Sequence, residues 1–197
     1  MLKKNNDLHG SAPDECSTAI LIIDVINDFD FEDGQKLFDN AMPVAQNIKE
    51  LKLEARKRKI PVIYVNDNFG KWKSNINILV DHCINDNTLG KSIAELLRPE
   101  NEDYFVLKAK HSGFYSTTLS LLLEYLNTET LILTGITTDI CIFFTANDAY
   151  MRDFKIIVPS DCTAAVYKEQ HIQALDNMKR IVKAEIVEWK DIDLARL

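Results

Sequence analysis

The sequence predicts an α/β protein with a mostly parallel sheet covered by helices on both faces, and three observations carry that prediction. Short, near-continuous apolar runs rich in β-branched residues recur along the chain, as at Thr18–Ile23 and Tyr104–Lys108, which is how strands buried on both faces read. Amphipathic helical patterns separate these runs. Several runs end in polar residues suited to chemistry, and ligands of open α/β sheets bind beyond the carboxyl ends of the strands.

Residues 1–17 are polar and aperiodic, and read as an arm before one domain over 18–197. The first strand, Thr18–Ile23, runs into Asp24-Val25-Ile26-Asn27-Asp28-Phe29, so Asp24 faces the crevice unless it caps its own turn. A helix is expected over 42–59 and a second strand over 60–66, together a right-handed β-α-β unit. Residues 67–98 read as a long excursion over the strand ends with a short helix over 76–83; Phe69 and Trp72 either wall a pocket or anchor the loop. The third strand ends at Lys108 and is followed by a loop with Lys110, His111, Ser112 and Phe114, then a leucine-rich helix over 118–126. The run from Leu131 to Thr134 reads as a buried strand, Gly135 as the sharp turn after it, and Thr137, Thr138 or Asp139 as the cap of a helix with Cys141 in its first turn. A thiolate is favoured at such a helix start. A strand over 154–158, a loop holding Cys162 as a structural thiol, a helix over 168–183 and a strand over 184–188 complete the chain.

Composition narrows the partners. A chain of 197 residues with 46% hydrophobic content can bury one good core, and a net charge of −7 argues against a nucleic-acid surface. No apolar stretch is long enough for a membrane span. The four cysteines, Cys16, Cys83, Cys141 and Cys162, show no C-x-x-C spacing and suit reduced thiols in a cytoplasm. The histidines, His9, His82, His111 and His171, are dispersed without a metal motif, so neither metal nor cofactor is expected.

Asp24, Lys108 and the turn from Gly135 to Cys141 all end central strands, so an acid, an ammonium and a thiol converge. With Asp24, Asn27, Asp28 and Phe29 as D-x-x-N-D-F, Lys108 six residues before Phe114, and G-I-T-T-D-I-C over 135–141, the chain resembles the isochorismatase-like cysteine hydrolases, which include nicotinamidases and N-carbamoylsarcosine amidohydrolases. The resemblance covers about residues 18–188. It implies a three-layer α/β/α fold with a six-stranded sheet, a homo-oligomer (dimer or tetramer), and a triad of Asp24, Lys108 and Cys141. It also implies a non-proline cis peptide between Ile136 and Thr137 that aims the Thr137 and Cys141 N–H groups at an oxyanion. The implied activity is hydrolysis of a small amide or carbamoyl substrate through a thioester. Phe29, Asn66, Phe69, Trp72 and Phe114 are the expected pocket residues. Two features depart from the pattern: Asn66-Asp67-Asn68 stands where nicotinamidases carry a D-x-H metal cluster, and Ile26 replaces a common glutamine. Isochorismatase-type vinyl-ether hydrolysis, which would not need Cys141, and a silent binding homologue are the alternatives. Lys110 and His111 remain rivals to Lys108.

Overall fold

The computed structural model describes residues 15–67 and 75–197. Among them, seven strands form one sheet: β1 (Thr18–Ile23), β2 (Val62–Asp67), β3 (Tyr104–Lys108), β4 (Thr130–Ile136), β5 (Lys155–Pro159), β6 (Thr163–Ala164) and β7 (Glu185–Val187). The order is β3-β2-β1-β4-β5-β7, all pairs are parallel, and β6 pairs with the far end of β4. Six of these strands follow the sequence reading; β6, two residues long, was expected as loop. It resumes the ladder after a 3-10 turn at Ser160–Cys162. Pro159, which has no N–H for the ladder, sits where β5 stops.

Alternate residues of each strand feed opposite faces. Ile20, Ile22, Val62, Tyr64 and Ile132 pack under α1 (Gly34–Lys57), α2 (Ile76–Asn85) and α3 (Lys91–Leu96). Ala19, Leu21, Ile63, Leu131 and Leu133 pack under α4 (Leu119–Leu126), α5 (Phe143–Tyr150) and α6 (Lys168–Ile181). Helix α1 begins eight residues before the expected start at residue 42. Leu37, Ala41, Val44, Ala45 and Ile48 form one buried stripe through Pro43, which lies on the exposed face, where a bend toward solvent is tolerated.

The first connections run outward from β1 to β2 and β3, and the chain then returns to the other side of β1 as β4. The carboxyl ends of β1 and β4 therefore flank the point where the winding reverses, the place where a crevice opens in such sheets. A separate cleft of about 610 Å³, lined by Arg56, Pro61 and Tyr104, lies at the opposite, amino ends of β2 and β3.

Candidate active site

Asp24 leaves β1 in a left-handed conformation (φ 52°), and its N–H continues the ladder to the Val65 carbonyl at 3.0 Å. Its Oδ1 accepts the Asp67 N–H at 2.6 Å and its Oδ2 meets Lys108 Nζ at 2.6 Å. Lys108 is 1% exposed; its Nζ also lies 3.6 Å from Cys141 Sγ, 3.2 Å from the Lys110 carbonyl and 3.7 Å from Asp67 Oδ2. The sheet order adds something the sequence did not settle: β3 is not next to β1, because β2 lies between them. The lysine side chain crosses the end of β2, alongside its register partner Asp67, to reach Asp24. Lys110 contributes its carbonyl, and the His111 ring lies against Phe144, 5.4 Å between centroids.

Cys141 sits in a π-helical turn, Thr138–Ile142, that precedes α5, rather than in the first turn of a regular α-helix. Gly135 makes the approach possible. With φ +113°, it lies so close to β1 that an added Cβ would stand 2.0 Å from the Ile23 carbonyl oxygen. The Ile136–Thr137 peptide bond is cis. The Thr137 carbonyl accepts the Ile140 and Ile142 N–H groups at 3.3 and 3.1 Å. On the other side, the Thr145 hydroxyl of α5 accepts the Gly113 N–H at 3.0 Å, tying the loop after Lys108 to the helix after Cys141.

Burial dominates the electrostatics. It pushes the Asp24 carboxyl up from its ordinary range, against the Lys108 charge and the hydrogen bonds from Cys141, Lys108 and the Asp67 N–H. Burial alone would lower Lys108, but the charges of Asp24 and Cys141 outweigh it and hold the ammonium above its usual value. The Cys141 thiol is pushed far up, first by burial and then by Asp24, with Lys108 opposing. The direction is opposite to the lowering expected of a cysteine at a helix start, because desolvation exceeds what the lysine returns. Such a trio can hand the thiol proton to Asp24 and develop a thiolate beside the ammonium.

The other expected residues stand apart. Asn66 is fully buried and its side chain clamps Ile26, accepting its N–H at 3.2 Å and donating to its carbonyl at 2.8 Å; it shapes the loop after β1 rather than lining a pocket. The clamp also explains how Ile26 is tolerated, since its side chain is core and its backbone is held from β2. Phe29 is 3% exposed, stacks on Phe31 and meets Phe38 edge to face, and Phe114 is a core residue against Phe154 and Arg152. Phe69 and Trp72 lie outside the described residues. The sequence reading missed His82, which joins α2 to Asp28 at 3.2 Å, and His171, 2.8 Å from the Thr138 hydroxyl. All four cysteines are free. Among the described residues no group of three His, Cys, Asp or Glu could hold a metal ion.

Comparison with known proteins agrees with the geometry. A family model described as Isochorismatase domain matches residues 18–191. The chain is 40% identical over 174 residues to the uncharacterized isochorismatase family protein YaaI of Bacillus subtilis, covering 88% of this chain and 95% of the relative. It is 30% identical to a probable inactive nicotinamidase of Arabidopsis thaliana, over 89% of this chain and 95% of that one. The crystal structure of N-carbamoylsarcosine amidase from Thermoplasma acidophilum is similar with a TM-score of 0.68 at 25% identity, covering 90% of this chain and 99% of that one. With its sheet order, its carboxyl-end trio and a match over nearly its whole length, this chain belongs to the isochorismatase family of hydrolases.

Proposed function

We propose that the protein is a cysteine-dependent hydrolase of a small amide or carbamoyl compound, with Asp24, Lys108 and Cys141 as its catalytic triad. The observation that carries the reading is the contact of Lys108 Nζ with both Asp24 Oδ2 and Cys141 Sγ, with Asp24 and Lys108 buried and Cys141 half-buried at the winding reversal of the sheet. Asp24 accepts the thiol proton as Sγ attacks the carbonyl carbon, and Lys108 stabilises the forming thiolate. The negative charge moves to the carbonyl oxygen, where the Thr137 and Cys141 N–H groups are the proposed donors. Collapse breaks the C–N bond, and the protonated Asp24 returns its proton to the leaving nitrogen as ammonia or amine. Asp24 then takes a proton from water, which attacks the thioester; the acid leaves and the thiol is restored. The upward direction of Asp24 makes its carboxylate a stronger base toward the thiol proton.

The Cys141→Ala variant tests the reading in a screen of small amides and ureido compounds. Ammonia release should fall to background while the circular dichroism spectrum is unchanged. Undiminished release would overturn it, and turnover of isochorismate that survives the substitution would favour vinyl-ether hydrolysis.

A further inference from the structure

We propose that His171 is a positioning residue for the turn that carries the oxyanion donors, acting through the Thr138 hydroxyl; this rests on the thiol reading above. The Thr137 carbonyl accepts two N–H groups of the π turn at 3.1 and 3.3 Å, and the side-chain oxygens Thr137 Oγ1 and Asp139 Oδ1 are buried without a hydrogen-bond partner among the described residues. Apart from the contacts of the thiol itself, the side-chain bond that reaches the turn among the described residues is Thr138 Oγ1 to His171 Nδ1, 2.8 Å. It comes from the first turn of α6 and joins a fully buried threonine to a half-buried histidine.

The position of this bond matters more than its strength. Thr138 lies between Thr137 and Cys141, whose N–H groups would hold the oxyanion, and any drift of Thr138 moves both donors relative to Sγ. Small misplacements of such donors are expensive in rate. The space around His171 permits drift: a cavity of about 190 Å³ adjoins it, lined also by Asn40, Val44, Thr163 and Lys168, and the Thr163 hydroxyl there is buried without a hydrogen-bond partner among the described residues. The charged groups facing the ring are Asp139 from the turn and Lys168 from its own helix. Burial lowers the histidine, with Asp139 opposing, which keeps the ring neutral in neutral solution and the bond a neutral one.

The test compares two reactions of the same thiol in the intact protein. Acetyl transfer from p-nitrophenyl acetate passes through an oxyanion: the thiol proton passes to Asp24, the Cys141 sulfur bonds to the acetyl carbon, the ester C–O bond breaks to release nitrophenolate, and its burst reports the rate. Alkylation by iodoacetamide displaces iodide and has no oxyanion. In Thr138→Val and His171→Ala, acylation should slow by about ten- to a hundredfold while alkylation stays within about twofold of wild type. The double variant should be no slower than the slower single one, and His171→Asn, whose amide can take the place of Nδ1, should recover most of the rate. If His171→Ala does not fold, the near-isosteric Thr138→Val carries the comparison. Acylation within about twofold of wild type in the variants, acylation and alkylation falling together, or a wild-type thiol that is alkylated but never acylated would each overturn the proposal. Loss of the burst in Cys141→Ala separates these outcomes from failure of the thiol reading, which would show as a burst that survives there.

Discussion

At Cys141 the reactivity is set by what surrounds the sulfur, and each neighbour acts with a definite sign. Burial and Asp24 raise the thiol and Lys108 lowers it, so the wild-type thiol should alkylate slowly near neutral pH. Asp24→Asn removes a raising charge and leaves the lysine, so the pH profile of alkylation should move down even though hydrolysis is lost. Lys108→Ala should move it up. Peptide mass after iodoacetamide treatment across pH reads both, and identical profiles in the two variants would dismiss the proposed triad electrostatics. Asp24, Lys108 and Cys141 could be picked out of the sequence because Asp24 follows β1, Lys108 ends β3 and Cys141 lies in the turn after β4, and the family resemblance set Lys108 apart from Lys110. Asn66 and His171 could not be read the same way. Their partners, Ile26 and Thr138, are 40 and 33 residues away, and nothing local marks a side chain that serves another segment's backbone or hydroxyl. Phe29 and Phe114 misled for the related reason that an aromatic after a strand looks alike in a pocket wall and in a core.

Among elements, α2 has a telling attachment. His82 bonds Asp86, the residue capping the end of its helix, at 2.7 Å and Asp28 of the loop after β1 at 3.2 Å, and these contacts, Asp86 first, raise the histidine above its ordinary value. A histidine raised in the folded state contributes its full stabilisation below the unfolded pKa of about 6.5 and loses it as pH rises through the higher folded value. The ring is one-third exposed, so the gain is small and screened by salt. Amide hydrogen exchange in α2, corrected for the intrinsic pH effect, should be slower at pH 5.5 than at pH 8.5, and His82→Gln should remove the difference. An unchanged pH dependence in that variant would show that Asp28 does not hold the helix through His82. The strands were legible as elements because an apolar run of five to seven residues has few other uses. The start of α1 was obscured by Pro43, which reads as a boundary in one dimension and only in three becomes a residue on the outer face of a continuing helix.

Over the whole molecule, one sheet serves two apolar layers, one under α1 to α3 and the other under α4 to α6. Because every central strand contributes to both, neither layer should melt alone. Ile48→Ala on one side and Leu123→Ala on the other should each cost about 2–5 kcal/mol, with a single unfolding transition retained by both fluorescence and circular dichroism. Two separated transitions would mean that the layers are independent. The layered architecture itself was plain in the alternation of runs, but the position of β2 between β1 and β3 was not, since strand order depends on contacts between segments far apart in the chain. That order has one more consequence. β3 is one of the two border strands of the sheet, paired along one side only among the described residues, and it supplies the lysine that the other two groups of the trio need. Border strands fray first. Catalysis should then report on the rim of the fold rather than its centre: in a urea titration, turnover should vanish at a lower concentration than helical ellipticity, and a crosslink holding β3 to β2 should bring the two curves together.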